Sequence, residues 1–354
     1  MKKVNLLEVT LRDGSYAINF SFSAQDTAIL CKELEDVGIK YIEIGHGVGL
    51  NASNQGYGKA AQTDEEYMIA AEKTLKKSKY GMFCIPGIAR LEDIDLAHRH
   101  NMGFIRIGTN ITEVRKSEEY IKRAKKYKMF TAANYMKSYA LPPEKFAEQV
   151  KLSVKYGVDM IYIVDSAGGM FADDIEKYYK AVRKVTDLPI GFHGHNNLGL
   201  ALSNSIAAAD MGMEFVDSSL QGLGRSSGNA ATEILVAALI KRGYDLKINF
   251  LKLLEIGQTY SQPLLTNKGI MPLDVVSGFA EFHSSYMPRI QKCSAKHSID
   301  PAELIIEICK VDKVDMDLDT LEKVAKRIKK RGKVYLGKYG FNRYVGGEQD
   351  EKKS

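Results

Sequence analysis

The chain has 354 residues, of which 45% are hydrophobic and 27% are charged, as in an ordinary globular protein. This length can hold one large domain, or one domain with a smaller appendage. The net charge is only +6, and the basic cluster Lys326–Arg331 fits the solvated face of a helix better than a nucleic-acid or membrane contact. No apolar run approaches the roughly 18 residues of a membrane span. We therefore expect neither nucleic acid nor a membrane as a partner.

Four cysteines occur without paired spacing, and three of them lie in apolar segments. Such residues are typical of free thiols in a reducing compartment. Since no signal peptide opens the sequence, we expect a cytoplasmic protein. The cysteines are Cys31, Cys84, Cys293 and Cys309.

Short runs rich in β-branched residues alternate with amphipathic stretches through about the first 240 residues. The predicted strands are Val4–Leu11, Tyr41–Gly45, Tyr80–Ile85, Phe104–Ile107, Met129–Asn134, Met160–Val164, Ile190–His195 and Phe215–Ser218. Helical patterns between them include Ala24–Val37, Asp64–Lys76, Pro143–Tyr156, Asp174–Val185, Leu198–Met211 and Asn229–Lys241.

This alternation predicts a parallel sheet, and eight strand–helix units indicate a closed (β/α)₈ barrel, a TIM barrel, rather than an open doubly wound sheet. Several predicted strands end in polar or glycine-rich residues, for example Arg12-Asp13-Gly14 and His193-Gly194-His195. Because barrel enzymes carry their chemistry at the carboxyl ends of the strands, these residues lie where an active site requires them.

From about Asn249 onward the sequence changes to successive helical patterns. We interpret residues 1–248 as a TIM-barrel catalytic domain, 249–345 as a small helical C-terminal domain, and 346–354 as a tail that we expect to be disordered. The predicted C-terminal helices are Phe250–Thr259, Pro272–Arg289, Pro301–Ile308 and Asp319–Arg331.

Asp13, His193 and His195 form the most informative pattern in the chain. Two histidines at i and i+2 on a strand point to the same face. In a closed barrel the first and seventh strands flank the eighth, so inward-pointing groups at their ends can meet. Two imidazoles and one carboxylate suit Mn²⁺, Zn²⁺, Co²⁺ or Mg²⁺ and leave positions open for a substrate, as a catalytic metal requires. The sequence therefore predicts a metal-dependent enzyme.

Four further residues are candidates for substrate binding. Arg12 can bind a substrate carboxylate or stabilise a developing enolate oxygen, with a salt bridge at the barrel mouth as the alternative. Ser166 can donate its hydroxyl to the same carboxylate, whereas the neighbouring Asp165 can act as a structural cap instead. His46 can line the site or make a structural hydrogen bond. Asn229 closes a glycine-rich loop that allows close backbone approach to a ligand.

Several motifs resemble those of the metallolyase superfamily of TIM barrels, which includes HMG-CoA lyase and isopropylmalate synthase. Two further segments are similar to those of the 4-hydroxy-2-oxovalerate aldolase family, so the likeness covers nearly the whole chain. HMG-CoA lyases have a cysteine in the glycine-rich loop, and its absence here argues against a lyase of that type. The superfamily motifs are Thr10–Gly14, Asp165–Gly168, His193–Gly199 and Gly222–Asn229, and the aldolase-like segments are Ile42–Leu50 and Phe282–Tyr286.

The resemblance implies a class II aldolase that depends on a divalent metal, with Mn²⁺ as the expected ion. It would cleave or form a 4-hydroxy-2-oxo acid, with pyruvate and an aldehyde as small-molecule partners, through a pyruvate enolate held by the metal and by Arg12. In this family the C-terminal helices contact an acylating aldehyde dehydrogenase. We therefore expect such a partner, and self-association into a homo-oligomer is a further expectation.

The chain departs from the family at the position of the base. The family has a histidine where this chain has Tyr16, and a tyrosine where this chain has His283. Imidazole has a pKa near roughly 6.5 and phenol near about 10, so we expect His283 to be the base and Tyr16 its hydrogen-bond partner. The alternative is that Tyr16 only packs at the barrel mouth and that His283 lies on a helix surface.

Two other functions stay open from the sequence. A Claisen-type synthase would join an acyl-CoA to a 2-oxo acid on the same barrel, although such synthases usually carry a longer C-terminal part than residues 249–354 provide. A non-catalytic or scaffolding subunit would have lost its base, but the intact metal ligands argue against that reading. The aldehyde and the physiological direction are not fixed by the sequence.

Overall fold

The computed structural model describes residues 2–265, 271–328, 336–341 and 344. Eight parallel strands close a barrel in which neighbours follow sequence order and β8 pairs with β1. The predicted TIM barrel is therefore confirmed. The strands are β1 (Asn5–Glu8), β2 (Tyr41–Glu43), β3 (Lys79–Cys84), β4 (Phe104–Asn110), β5 (Phe130–Met136), β6 (Met160–Asp165), β7 (Ile190–Gly194) and β8 (Phe215–Ser218).

The strands are buried along most of their length, as expected for a parallel sheet covered by helices outside and filled by side chains inside. Every residue of β4 and of β6 is buried. The last residue pair between β6 and β7 joins Asp165 to Gly194. The segments that follow these two strands therefore emerge side by side at the carboxyl end of the barrel.

Eight helices alternate with the strands within residues 2–265. The first begins at a capping box between Ser23 and Asp26 and ends at Gly38, which is left-handed with φ 104. Two of the eight, Leu91–Arg99 and Glu118–Lys126, belong to the eight predicted strand–helix units but had no bounds assigned from the sequence, and each buries few apolar side chains. The helices are α1 (Ala24–Val37), α2 (Asp64–Thr74), α3 (Leu91–Arg99), α4 (Glu118–Lys126), α5 (Pro143–Tyr156), α6 (Ala172–Arg183), α7 (Ala201–Asp210) and α8 (Thr232–Lys241).

The first strand is shorter than the predicted Val4–Leu11. β1 ends at Glu8, whose buried carboxylate accepts hydrogen bonds from the backbone N–H of Thr10 (2.9 Å) and from its hydroxyl (2.5 Å). These bonds turn the chain away from the sheet, and a 3₁₀ helix follows at Asp13–Ile18. Asp13 is therefore delivered by a turn, not by the strand itself.

The C-terminal region is helical, as predicted. On α9, Leu253 and Ile256 belong to the barrel core, while the later helices surround a second apolar core that includes Phe282 and Leu304. The boundary between residues 248 and 249 stays a prediction. The described helices are α9 (Phe250–Ile256), α10 (Pro272–Ala280), α11 (Met287–His297), α12 (Pro301–Cys309) and α13 (Leu318–Arg327).

The predicted single helix Pro272–Arg289 is wrong, because the structure divides it into α10 and α11. Glu281 adopts a left-handed conformation with φ 57 and ends α10, and a short 3₁₀ turn follows at Ser284–Tyr286. The break turns Phe282 and His283 into the protein, where both are buried. The predicted helix Phe250–Thr259 also changes form, since its end winds as a π turn at Gly257–Ser261.

The C-terminal region covers the carboxyl end of the barrel. The buried Lys137, just after β5, donates from Nζ to the Val314 carbonyl at 2.6 Å and lies 4.8 Å from the centroid of the Tyr286 ring. On the other side, Asn197 Nδ2 donates to the Asp274 carbonyl at 3.0 Å. These contacts fix the segment that contains His283 above the strand ends.

Two sequence predictions fall partly or wholly outside the described residues. The tail 346–354 lies entirely outside them, and so does the end of the basic cluster after Ile328. Within the described part, Lys326 and Arg327 form the last turn of α13. The four cysteines are free and buried. Among the described helices, none has both the length and the apolar character that crossing a membrane would require.

Candidate active site

Asp13, His193 and His195 converge at the carboxyl end of the barrel. Each offers a potential ligand atom, these atoms all lie within 4.8 Å of one another, and all three side chains are buried. His193 lies on β7 and His195 directly follows it, whereas Asp13 comes from the turn after β1. The two imidazole rings are perpendicular, with centroids 5.0 Å apart. The predicted ligands are thus brought together as the barrel topology requires.

Hydrogen bonds to Nδ1 orient both histidines. His193 Nδ1 lies 2.9 Å from Asp217 Oδ2, and His195 Nδ1 lies 3.3 Å from the Gly228 carbonyl oxygen. Each ring therefore keeps Nε2 for a ligand, an arrangement in which the partner of Nδ1 fixes the tautomer of a metal-binding imidazole. Burial lowers the pKa of His195 to about 4 against the opposing charge of Asp13, so this ring is neutral near neutral pH.

The Asp13 carboxylate is held in its ionised form. Burial alone would raise its pKa, but the charge of Arg12 and the neighbouring histidines bring the pKa of Asp13 below its ordinary value. Oδ1 accepts a hydrogen bond from Arg12 Nη1 at 2.7 Å. Oδ2 accepts bonds from Asn229 Nδ2 at 2.8 Å and from the Arg225 backbone N–H at 3.2 Å. These donors fix the carboxylate beside the imidazoles.

Asn229 lies in the loop before α8 rather than on the predicted helix Asn229–Lys241, which begins at Thr232. Its Nδ2 is used by Asp13, while its Oδ1 is buried without a hydrogen-bond partner among the described residues. Buried polar atoms are normally satisfied, and a cation held by the three ligands would satisfy this oxygen. The donor set of imidazoles, carboxylate and amide oxygen therefore fits a divalent ion. The predicted substrate contact of Asn229 stays a prediction.

Two glycines allow the loop after β8 to lie against the ligands. A Cβ atom at Gly224 would be 2.8 Å from Asp13 Oδ2, and one at Gly228 would be 2.0 Å from the Gly222 carbonyl oxygen. Gly228 also has φ 83, where side chains are rarely tolerated. The close backbone approach expected of this loop is thus present, and it is directed at a ligand residue.

Arg12 combines the two roles weighed from the sequence. Its Nε donates to Glu43 Oε2 at 2.6 Å, and its Nη1 donates to Asp13, so it forms a buried salt bridge at the barrel mouth. Its guanidinium carbon lies 4.9 Å from the centroid of the Phe83 ring. Nη2 has no hydrogen-bond partner among the described residues and is free to bind an anion. Substrate binding by Arg12 stays a prediction.

Arg225 binds both Tyr16 and the segment that contains His283. Arg225 Nη1 donates to the Tyr16 hydroxyl at 3.2 Å, and its guanidinium lies 4.8 Å from the centroid of that ring. Arg225 Nε donates to Ser284 Oγ at 2.8 Å, next to His283 in the chain. Tyr16 is 6% and His283 4% exposed, so the alternative of a histidine on a helix surface is wrong. Arg225 thus joins Tyr16 to the segment that contains His283, and the pairing of Tyr16 with His283 stays a prediction.

The environment of His283 keeps its imidazole neutral. Nδ1 lies 2.6 Å from Ser285 Oγ and accepts the Ser285 backbone N–H at 3.4 Å, whereas Nε2 has no hydrogen-bond partner among the described residues. Burial, with the positive charges of Arg225 and Lys137, holds the pKa of His283 well below its usual value. The neutral ring is the form that a general base requires, although the low pKa also weakens it as a base.

Ser166 and Asp165 follow β6 and play different parts. Ser166 Oγ accepts the backbone N–H of Lys137 at 2.9 Å, and its own hydrogen stays available for a ligand. The Asp165 carboxylate instead accepts the backbone N–H groups of Gly169 at 3.1 Å and Met170 at 2.9 Å. Asp165 thus has the structural capping role that the sequence left open, and the substrate contact of Ser166 stays a prediction.

His46 holds the backbone of the loop after β2. Its Nδ1 accepts the N–H of Val48 at 3.1 Å, and its Nε2 lies 3.0 Å from the Gly58 carbonyl oxygen. Its ring stacks on Phe20 with centroids 3.8 Å apart. Because both nitrogens are engaged, the geometry favours the structural alternative, and a substrate contact by His46 stays a prediction.

Three residues near the site were not identified from the sequence: Glu43, Arg106 and Asp217. They lie on β2, β4 and β8, are almost completely buried, and bond to one another and to Arg12 and His193. The feature of the sequence that could have identified them is a charged residue within a predicted buried strand. Such residues are rarely buried unless they are paired, so a fully buried strand with a charge indicates a partner across the barrel.

A second group of potential ligands lies in the C-terminal region, where Cys293, His297 and Glu322 have ligand atoms within 4.8 Å of one another. The Glu322 carboxylate already binds His297 Nε2 at 2.6 Å and Lys296 Nζ at 2.8 Å. Burial raises the pKa of the Cys293 thiol to about 11. We therefore assign a structural role to this group.

A cavity of about 450 Å³ adjoins the glycine-rich loop. It lies between the segment after β7, the loop after β8 and the residues that lead into α10. Gly224 and Gly228 line it and also contact the ligand shell through Asp13 and His195. A volume of this size is typical of a small-molecule site.

Three comparisons identify similar proteins. Residues 3–259 match the model of the HMGL-like family. A protein named 4-hydroxy-2-oxovalerate aldolase from Carboxydothermus hydrogenoformans is 36% identical over 333 residues, or 94% of this chain and 99% of that protein. Its namesake from Moorella thermoacetica is 35% identical, with 94% and 98% covered. The carboxyl transferase domain of Rhizobium etli pyruvate carboxylase superposes with a TM-score of 0.76 at 14% identity, over 93% of this chain and 61% of that one.

The structural likeness at low identity shows the fold alone. The family match covers the whole barrel, including the three potential metal ligands and the loop after β8. The two relatives extend the similarity through the C-terminal helices. The chain therefore belongs to the HMGL-like family, and it has full-length relatives that are named 4-hydroxy-2-oxovalerate aldolase.

Proposed function

We propose that this protein is a divalent-metal-dependent class II aldolase that cleaves or forms a 4-hydroxy-2-oxo acid, with pyruvate and an aldehyde as the other reactants. The observation that carries the proposal is the group of three potential metal ligands beside the free edge of Arg12. The full-length relatives named 4-hydroxy-2-oxovalerate aldolase support the same substrate class.

Asp13, His193 and His195 would hold the metal, for which we propose Mn²⁺. A bound divalent ion supplies a Lewis acid that polarises the ketone of a 2-oxo acid. The protein prepares for it by keeping Asp13 ionised and His195 neutral. Mg²⁺, Co²⁺ and Zn²⁺ suit the same donors, so the metal is decided by comparing the activities of the reloaded protein.

Arg12 would bind the 2-oxo acid. Its free Nη2 can donate to the substrate carboxylate, or to the ketone oxygen as negative charge develops there. Glu43 and Asp13 hold the other nitrogens of the guanidinium, so it needs little reorganisation when charge appears. The Ser166 hydroxyl is a second donor at the same end of the barrel.

His283 would act as the base in the cleavage direction. In the tautomer in which Nδ1–H donates to Ser285 Oγ, rather than the one in which Nδ1 accepts the Ser285 backbone N–H at 3.4 Å, Nε2 would carry the lone pair that takes the proton from the C4 hydroxyl. The C4–O bond then becomes the carbonyl of the aldehyde, the C3–C4 bond breaks, and its electron pair forms the enolate of pyruvate. The Tyr16 hydroxyl, held by Arg225, would orient the C4 oxygen. Protonation of C3 completes pyruvate.

The first experiment is pyruvate release from 4-hydroxy-2-oxovalerate by metal-stripped protein, before and after Mn²⁺ is added. The proposal predicts release only after the metal is added. If Mn²⁺ binds and no pyruvate appears, the substrate assignment is wrong, and longer aldehydes and condensation with an acyl-CoA become the next assays. If neither binding nor release occurs, a non-catalytic protein is the better description.

The assignment of the base is tested with His283→Ala. We expect turnover to fall by about 10²–10⁴-fold, since a positioned base contributes that much, while the KM changes little. Tyr16→Phe removes only a hydroxyl, and its turnover should fall less than that of His283→Ala. His297→Ala is the matched control, because this histidine binds Glu322 in the C-terminal region. Unchanged turnover in His283→Ala would reject the base assignment.

We further propose an acylating aldehyde dehydrogenase as the partner of the C-terminal helices, and self-association of the chain. The exposed Phe279 on α10, 70% accessible, is one apolar side chain that a partner would cover. Size-exclusion chromatography with light scattering of the co-expressed pair tests both ideas. Elution of two separate monomeric species would contradict them. The four free cysteines support the cytoplasm as the location.

A further inference from the structure

Arg106 lies at the centre of a chain of buried charges inside the barrel. It lies on β4 and is 1% exposed. Nε donates to Glu43 Oε1 at 2.6 Å, and Nη2 also donates to the Glu43 carboxylate. Nη1 donates to Asp217 Oδ2 at 2.6 Å and approaches Asn134 Oδ1 at 3.5 Å. One guanidinium therefore joins carboxylates from β2 and β8, the two strands that flank β1.

Each of these carboxylates also holds a residue of the proposed active site. Glu43 Oε2 accepts Arg12 Nε at 2.6 Å, so the carboxylate bridges the two arginines. Asp217 Oδ2 lies 2.9 Å from His193 Nδ1. A continuous series of bonds through Arg106 therefore joins Arg12 to His193, in addition to the direct bond from Arg12 to Asp13.

Aromatic rings restrict the plane of the guanidinium. Its carbon lies 4.8 Å from the centroid of Tyr162 and 5.6 Å from that of Phe83. Phe83 also contacts the Arg12 guanidinium. A planar group with several fixed donors can serve both carboxylates between such rings, whereas a lysine ammonium cannot reproduce this fork.

Stability alone does not account for this arrangement. Replacing a buried ion-pair group by apolar residues is often neutral or stabilising, because desolvation offsets the attraction between the charges. Here Arg106 Nε and Nη1 each hold one carboxylate, of Glu43 and of Asp217, at 2.6 Å. The charges are thus kept where they orient Arg12 and His193.

We propose that Arg106 is a positioning residue that couples binding of the metal at His193 to binding of the 2-oxo acid carboxylate at Arg12. This inference rests on the proposed function for the identity of the anion, but its metal half does not depend on turnover. It requires no contact between Arg106 and either ligand. The proposal predicts that one substitution of Arg106 changes the affinity for both the metal and the 2-oxo acid, although Arg106 contacts neither ligand.

The test is Arg106→Lys, which keeps the charge and removes the fork. Metal-free protein is titrated with Mn²⁺ while free Mn²⁺ is followed by electron paramagnetic resonance. We expect the dissociation constant to rise about 10–100-fold, as for other groups that orient metal ligands. Calorimetry with pyruvate and the Mn²⁺-loaded protein should show weaker binding as well. Arg123→Lys, at a pair with Asp95 outside the barrel, is the matched control.

A double-mutant cycle decides the question if Arg106→Lys does not fold by circular dichroism. Glu43→Gln and Asp217→Asn keep side-chain shape, and neither residue is bonded to the other directly. If Arg106 couples them, the double variant changes Mn²⁺ affinity by a factor that differs about threefold or more from the product of the single changes. Additive effects, or an Arg106→Lys protein with unaltered affinities, would overturn the proposal. Absence of Mn²⁺ binding by the parent protein would instead contradict the proposed metal site.

Discussion

Gly228→Ala would test whether the loop after β8 must lie against the metal ligands. Gly228 has φ 83, and a Cβ atom there would be 2.0 Å from the Gly222 carbonyl oxygen. The Gly228 carbonyl oxygen accepts the N–H of Asn196 at 2.9 Å and lies 3.3 Å from His195 Nδ1. A shift of Gly228 would therefore also move the carbonyl oxygen that contacts Nδ1 of His195 in the proposed metal site.

The expected effect follows from two separate terms. Alanine in the left-handed region costs roughly 1–2 kcal/mol. The clash adds to this, because close C···O contacts are about 3.3 Å, so the backbone must move by roughly 1 Å. Forcing an extra methyl group into a packed site costs about 1–3 kcal/mol. We expect the free energy of unfolding to fall by about 2–5 kcal/mol, and the dissociation constant for Mn²⁺ to rise about 10–100-fold.

Urea denaturation of the metal-free protein and a Mn²⁺ titration measure the two effects separately. Gly199→Ala is the matched control, since Gly199 has φ 73 but no atom lies within 4 Å of its Cβ position. The free energy of unfolding of Gly199→Ala should fall only by the cost of alanine in the left-handed region, roughly 1–2 kcal/mol, and its dissociation constant for Mn²⁺ should be unchanged. If the two variants had equal unfolding free energies and equal Mn²⁺ affinities, the packing argument would be refuted.

Three other outcomes follow from the same contacts. Burial raises the pKa of Asp165 from 3.8 to about 6, so the folded protein binds this proton more tightly than the unfolded chain does. The free energy of unfolding, measured in urea, should therefore fall as the pH rises from about 4 to 6. The fall should be smaller in Asp165→Asn. Arg12→Lys cannot bridge Glu43 and Asp13, so kcat/KM in pyruvate condensation should fall about 10–100-fold. Asn229→Ala removes one donor to Asp13, and calorimetry should show Mn²⁺ bound about 10-fold more weakly.

The barrel was predictable because its strands and helices have different periods. Phe215–Ser218 was predicted with its observed bounds, although only its first two residues are apolar. Two wrong bounds have local causes in the structure. The bonds between Glu8 and Thr10 turn the chain out of β1, and neither glutamate nor threonine is a typical turn residue that would predict this. Likewise, the break at Glu281 uses a left-handed residue that is not glycine.

The proposed metal ligands were predictable for a different reason. His193 lies on β7 and His195 follows directly after it, two residues further along the chain, so local geometry puts both on one face. Arg106, Glu43 and Asp217 offered no such local pattern, because their spacing in sequence is large and each has its partner across the barrel. Buried pairs of this kind depend on the closed topology, which a single sequence expresses only as isolated charges in apolar strands.

The exchange of histidine and tyrosine becomes physically reasonable once Arg225 is considered. Its guanidinium donates to Tyr16 through Nη1 and to Ser284, next to His283, through Nε. The arginine thus brings two distant segments, the turn after β1 and the break between α10 and α11, to one place. A hydroxyl accepts the hydrogen bond from this cation, whereas a neutral imidazole beside it is kept unprotonated. Under the proposed roles of His283 and Tyr16, the base and its partner can therefore change places while the arginine continues to hold both segments.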